Sequence, residues 1–286
     1  MSRIKSLCKD SRHFEEVPVL EARSVDSSHQ DDHFNAIQAH LKSAAVVKIK
    51  LGFEDDDCRY LEQVILNLNQ RHGHGLPIDH SASRGWFWDI RPMAKSPEAL
   101  HQARSETANH FPWHTDCSYE SSPPRYFGLQ VLEPDCCGGG TLSILKVEKI
   151  VAHLSESSRS ALCQSEFSIN VPPEFIKAEN DGQIVGSILS IDDGEWVMRF
   201  REDIFTPLTE AAASALAELK DVLSGPAIEA EILHLTPESM PRGSLIIVGN
   251  RQWLHARNAV KDPNRHLRRV RWDAQPFGSA PLTTIS

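Results

Sequence analysis

The chain has 286 residues, 24% charged and 40% hydrophobic, a balance that excludes a disordered segment and leaves length enough for a substantial core. A formal net charge of -9 offers no basic footprint to phosphate backbones or anionic lipid, which argues against nucleic acid and membrane surfaces as partners. No stretch approaches the ~20 apolar residues that cross a bilayer, the opening MSRIKSLCKDSRHFEEVPV lacks a signal-peptide h-region, and the six cysteines form no dense framework, so a cytoplasmic protein with reduced thiols is expected.

The first ~20 residues lack periodicity and read as an irregular lead-in. DDHFNAIQAHLKS then places Phe34, Ile37, His40 and Leu41 at helical spacing, and AAVVKIKL follows as a β-branched strand. DDDCRYLEQVILNLNQRHG predicts a second helix, acidic in its first turn and ending near Gly73. From Arg84 to Pro124 aromatics, prolines and polar residues follow no period, which predicts long loops of the kind that carry function.

RYFGLQVLEPD and GTLSILKV predict two strands joined by the turn CCGGG. VEKIVAHLSESSRSALCQ has a helical pattern, and FSINVPP, GSILSI and EWVMRF read as short strands. TEAAASALAELKDVLSGP is the clearest helix, opened by a threonine cap with Glu210 in the first turn and stopped by Gly225-Pro226. AEILHL, GSLIIVGN and HLRRVRWD close the chain as strands. Many short strands without βαβ alternation predict a mainly β fold, an antiparallel barrel or jelly roll with helices outside. No repeat or low-complexity linker divides the chain, so residues 1–286 read as a single domain.

Phe111 to Pro124, FPWHTDCSYESSPP, sets His114 and Asp116 at i and i+2, on the same side of an extended segment. An imidazole nitrogen and a carboxylate oxygen suit a borderline divalent metal, but two ligands rarely hold one firmly. His255, in GSLIIVGNRQWLHARNAV, is the candidate third ligand at a barrel mouth, with a core histidine as the alternative. In RHLRRVRWD, Arg265, Leu267, Arg269 and Arg271 share one strand face, and His266, Arg268, Val270 and Trp272 the other. Whichever face turns inward carries guanidinium into the interior, and a buried guanidinium needs an anion, most simply a carboxylate gripped by two parallel hydrogen bonds.

The order of these pieces, His114-Thr115-Asp116, then GGGT ending at Thr141, then His255, then Arg265 and Arg269 as R-x-x-x-R, resembles the taurine dioxygenase and clavaminate synthase-like branch of the iron(II), 2-oxoglutarate-dependent oxygenases, from about Ser83 to Asp273. The resemblance implies a double-stranded β-helix of the jelly-roll, cupin-like type with outer helices. It implies that His114, Asp116 and His255 ligate iron(II), and that Arg265 holds the far carboxylate of 2-oxoglutarate with the Thr141 hydroxyl as second contact. Arg269 takes the place of a second arginine that meets the cosubstrate or the acidic group of the substrate. The spacing from His255 to Arg265 is slightly shorter than in that branch, which leaves Arg268 and Arg269 open for the cosubstrate role. Related halogenases lack the carboxylate, so Asp116 argues for oxygenation with dioxygen.

The expected activity is therefore oxidation of a small organic substrate, by hydroxylation, desaturation or cyclisation, with release of succinate and CO2. A homo-oligomer is compatible with this reading. A zinc hydrolase on the same three ligands and a non-catalytic cupin-like binding protein are the other two classes. RHGHG, with His72 and His74, reads as a surface turn rather than a second metal clip. Trp86, Phe87 and Trp88 suit either core packing or an aromatic wall over the substrate. Cys136 and Cys137 read as turn residues, and Cys117 is expected to point away from the metal. No G-x-S-x-G, Walker-type or dinucleotide glycine pattern is present.

Overall fold

The computed structural model describes residues 17–79, 85–92, 103–176 and 182–278. In chain order the elements are β1 (Val19–Ala22), α1 (Asp31–Ser43), β2 (Val46–Leu51), α2 (Arg59–His72), β3 (Trp88–Ile90), β4 (Phe111–His114), β5 (Pro124–Glu133) and β6 (Leu142–Lys146). There follow α3 (Val147–Ala152), α4 (Glu156–Leu162), β7 (Phe167–Asn170), β8 (Gln183–Gly186), β9 (Leu189–Asp192), β10 (Glu195–Met198) and β11 (Phe205–Pro207). The chain ends with α5 (Glu210–Ser224), α6 (Pro226–Glu229), β12 (Leu233–Leu235), β13 (Ser244–Gly249), β14 (Trp253–Arg257) and β15 (His266–Ala274).

Six strands form one sheet in the order β1-β2-β13-β5-β15-β3, and four form a second in the order β12-β6-β14-β4. Every pairing in them is antiparallel except β1 with β2. Strand alternation decides what each face meets. Val46, Phe127, Ile246, Val248 and Leu267 of the larger sheet pack against Ile144, Leu235 and Trp253 of the smaller, which closes a jelly roll around an apolar interior. Val47, Ile49, Leu245, Ile247, Val270 and Trp272 point the other way and bury Phe34, Ile37 and Leu41 of α1 and Leu61, Val64, Ile65 and Leu68 of α2. The mainly β architecture with outer helices thus follows from runs apolar on both sides, which only a sheet covered on both faces can bury.

The expected lead-in lies mostly outside the described residues, and its last two, Val19 and Leu20, already belong to β1. The span read as loops between Arg84 and Pro124 carries β3 and β4 where it is described; Arg84 itself lies outside the described residues. The helix expected over VEKIVAHLSESSRSALCQ is two helices. Ser155 starts the second: its hydroxyl accepts from Ser158 N at 3.2 Å, while Glu218 of α5 accepts from Ser155 N and Oγ and from Ser158 Oγ. GSILSI is likewise broken, with β8 ending at Gly186 and β9 beginning at Leu189. Arg199 crosses this gap, its Nε donating to Ser187 O at 2.8 Å. Among the described residues no helix is long and apolar enough to cross a membrane.

Candidate active site

His114 ends β4, and β4 pairs with β14 so that His114 lies directly opposite His255. Side chains of directly opposed residues fall on the same face, and the two imidazole centroids are 4.0 Å apart. Asp116 follows where the strand turns, with Thr115 N donating to Phe200 O at 2.8 Å and Cys117 in the left-handed region at φ 54. His114 Nε2 and His255 Nε2 lie 4.0 and 3.7 Å from Asp116 Oδ1. One ligand atom from each of the three residues falls within 4.8 Å of the others, and all three residues are buried.

The local bonding fits a divalent ion. His114 Nδ1 donates to Pro112 O at 2.8 Å, which leaves Nε2 with its lone pair towards Asp116. Burial, reinforced by His255, pulls His114 well below the ordinary histidine value, so the ring is neutral, as ligation requires. Burial alone would raise the Asp116 carboxyl, but Arg269, whose Nη1 donates to Oδ1 at 3.0 Å, and His255 hold it well below the usual carboxylate range. Asp116 Oδ2 is buried with no partner, an arrangement that costs several kcal/mol in a dry interior unless something cationic answers it. Phe111 stacks on His114 at 3.7 Å and Phe127 lies 4.5 Å from His255, so aromatic rings flank both imidazoles.

Of the two faces of β15, the arginine-bearing one turns inward. Arg265, Leu267, Arg269 and Arg271 are buried, whereas His266 and Arg268 turn outward to Asp89 Oδ1 at 2.9 and 2.8 Å. That ion pair removes Arg268 from the pocket. Arg265 is 4% exposed and its Nη1 has no partner. Burial, with Arg257 nearby, pushes its guanidinium down to about 9. His114, His255, Arg265, Arg269 and Leu142 line one pocket. Gly140 lets Arg265 reach it: φ is +67, and a Cβ there would lie 2.9 Å from Arg265 Nε.

A second pocket opens on the other side of Asp116 and His114, walled by Tyr119, Glu174, Phe175, Arg201, Arg269 and Arg271. Arg269 therefore borders both spaces. Thr141 is half-buried and bonded through its backbone, its N–H donating to Asn258 Oδ1 at 2.8 Å. It lines neither the Arg265 pocket nor the second one, although its neighbours Gly140 and Leu142 line a pocket together with Arg265.

Asn250 and Arg271 also belong to the site. Asn250 is fully buried; its Oδ1 accepts from Asp116 N at 2.7 Å, and its Nδ2 donates to Asp116 O at 3.0 Å and Pro124 O at 2.9 Å. In the sequence it shows only as a Gly-Asn turn. Arg271 was visible as the third inward arginine, and its Nη1 donates to Cys117 Sγ at 2.6 Å. Cys117 thus lines the second pocket, bonded to Arg271. Among the aromatics, Trp88 lies beneath the Arg269 guanidinium, 5.4 Å from ring to charge, whereas Trp86 and Phe87 pack on the helix-covered face of the large sheet. His74 corrects the surface-turn reading of RHGHG: it is 5% exposed and stacks on Tyr126 at 5.0 Å.

Fold and donor set define a jelly roll with a buried two-histidine, one-carboxylate cluster at one end of its barrel. The chain matches the family model for the taurine catabolism dioxygenase TauD, TfdA family over residues 24–175, more than half of its length, and it belongs to that family. It is 28% identical over 145 residues to an L-asparagine oxygenase of Streptomyces coelicolor, a match covering 51% of this chain and 41% of that protein. Among solved structures, an asparagine oxygenase in complex with Fe(II), 2S,3S-3-hydroxyasparagine and succinate aligns with a TM-score of 0.66 at 20% identity, over 85% of this chain and 80% of that one. The non-haem iron oxygenase OrfP, in complex with Fe, succinate and (3R,4R)-dihydroxy-L-Arg, aligns with a TM-score of 0.66 at 13% identity, over 86% and 83%. At these identities the two structures speak for the fold.

Proposed function

We propose that the chain is an iron(II)- and 2-oxoglutarate-dependent oxygenase that oxidises a small substrate bearing an acidic group, of the amino-acid class, and that it acts as a single domain in the cytoplasm. The observation that carries this reading is the pairing of two unmet demands in one buried space. A cluster of His114, Asp116 and His255 asks for a cation, and Arg265, with a free Nη1 beside it, asks for an anion. A hydrolytic zinc site needs no such arginine, whereas a chelating dicarboxylate answers it.

Bound iron(II), with 2-oxoglutarate and dioxygen as cosubstrates, supplies the oxidising chemistry and leaves succinate and CO2. His114, Asp116 and His255 hold the ion, with Pro112 O orienting His114 and Asn250 orienting Asp116. Arg265 grips the far carboxylate of 2-oxoglutarate, and the Thr141 hydroxyl, between the pocket-lining Gly140 and Leu142, is assigned as its second contact. Arg269 keeps Asp116 anionic and borders the substrate-side pocket, its Nε without a partner. Beyond it the pocket is walled by Arg201, paired with Asp203, by Arg271, which donates to Cys117 Sγ, and by Glu174, so charges of both signs border the space a zwitterion would fill. The L-asparagine oxygenase relative, and the structural neighbour in complex with (3R,4R)-dihydroxy-L-Arg, support this substrate class.

The test is succinate release from iron-loaded protein against a panel of α-amino acids and short acids. At least one amino acid is expected to stimulate release. Arg265→Ala is expected to raise the KM for 2-oxoglutarate about fifty-fold, the worth of a charged hydrogen-bonded pair. Stimulation by neutral compounds alone, or an unchanged KM in the variant, would contradict the assignment.

A further inference from the structure

Cys136 and Cys137 stand next to each other on the turn after β5, both exposed and both free. Their backbone amides are tied to the scaffold of the cosubstrate pocket. Cys136 N donates to Asp262 Oδ2 at 3.2 Å, and Cys137 N donates to Asp135 Oδ1 at 2.9 Å. Asp135 is itself buried and also accepts from Gly139 N at 3.1 Å, Lys261 N at 2.8 Å and Asp262 N at 3.2 Å. Those bonds clamp the CCGGG turn to the loop that leads into β15. Arg265 N donates to Asp262 O at 3.2 Å, and the Arg265 side chain runs against Gly140. The two thiols therefore sit on the outer end of a hydrogen-bonded bracket whose inner end is Arg265.

We propose that Cys136 and Cys137 are a redox modification site, closing under hydrogen peroxide to a vicinal disulfide that loosens the Asp135–Asp262 bracket and weakens anion binding at Arg265; its effect on 2-oxoglutarate rests on the oxygenase reading above. One thiol is oxidised by peroxide to a sulfenic acid with loss of one water. The neighbouring sulfur then attacks it, the S–O bond breaks, and the departing hydroxide takes the second thiol proton as another water. Two thiols and one peroxide thus become one disulfide and two waters.

Adjacent Cα atoms across a trans peptide are about 3.8 Å apart, short of the ~4.4 Å at which disulfides ordinarily begin. The eight-membered ring forces the Cys136–Cys137 peptide to turn, and the two amides donating to Asp262 and Asp135 turn with it. Strain of this kind makes the bond easily reduced, as a reversible switch requires. The turn has little slack to absorb the change: a Cβ at Gly139 would lie 2.5 Å from Ala259 O, so movement of one strand of the bracket is passed to the other.

The full chain is treated with hydrogen peroxide, alkylated and digested with trypsin; the peptide spanning 126–146 contains no other cysteine. That peptide is expected to come off unalkylated and lighter by two hydrogens, and to regain alkylation after dithiothreitol. Hydrogen exchange over residues 258–265 is expected to quicken on oxidation and not in Cys136→Ser, and 2-oxoglutarate affinity is expected to fall about tenfold, the loss of one charge-assisted contact. A peptide that stays fully alkylatable overturns the site, and a disulfide that leaves hydrogen exchange unchanged overturns the coupling. Reduced protein that binds no 2-oxoglutarate would overturn the oxygenase reading instead, while peptide mass and hydrogen exchange would still decide the switch.

Discussion

Asp116 is held at its backbone by Asn250 and at its side chain by Arg269, so the amide fixes the backbone from which the carboxylate reaches and the guanidinium fixes the carboxylate. Asn250→Ala removes both backbone contacts and strands buried groups, at a cost of roughly 1–3 kcal/mol; metal affinity should fall at least tenfold, measured as the ion-dependent rise in Tm. An unchanged affinity would assign Asn250 to the fold alone. Arg265 behaves in the opposite way. Its buried, half-unsatisfied charge burdens the fold, so Arg265→Met should leave urea stability equal or higher while weakening 2-oxoglutarate binding about fifty-fold; a loss of more than about 2 kcal/mol would show that the arginine serves structure. The gathering of His114, Asp116 and His255, with Arg265 and Arg269 beside them, was legible because few residue types can ligate a cation or meet a buried anion. Asn250 was not, because its partner lies 134 residues away and a Gly-Asn pair ordinarily signals only a turn.

At the scale of elements, β15 works as a divider. Its Leu267 face fills the barrel and carries the arginines to the site, and its Val270 and Trp272 face takes the helices. β5 beside it needs Gly128, because α2 comes close enough that a Cβ there would lie 3.0 Å from Leu61 Cδ2. Gly128→Ala should cost about 1–3 kcal/mol by overpacking, read from urea midpoints, and Leu61→Ala should relieve the clash in the double variant. Additive losses would contradict that contact. Helices with local signals were readable: α5 begins where its threonine cap predicts, with Thr209 Oγ1 accepting from Ala212 N at 3.1 Å. The break between α3 and α4 was not, since Glu218, which secures Ser155, comes from another helix. The same limit hid β3 and β4, short strands defined by their neighbours rather than by periodicity.

For the whole molecule, two sheets form the interior, α1 and α2 cover the larger one, and α3 to α6 pack together with Leu145 and Leu254 of the smaller one, with His114, Asp116 and His255 gathered beside the barrel interior. Stability should therefore respond to acid before the carboxylates titrate. Burial lowers His74 below its ordinary value of 6.5, so the unfolded chain takes up a proton that the folded chain refuses, and stability falls as pH drops below about 6.5. The urea midpoint of metal-free protein should decline from pH 7 to 5. His74→Gln should flatten that decline by up to about 1.4 kcal/mol per pH unit; an identical slope would remove His74 from the account. The most direct test of the central claim is anaerobic titration of the metal-free protein with iron(II) and 2-oxoglutarate. The account predicts a weak visible absorption band that needs both additions, is absent in His255→Ala and takes about fifty-fold more 2-oxoglutarate to appear in Arg265→Ala; no band in folded, iron-loaded protein would contradict it.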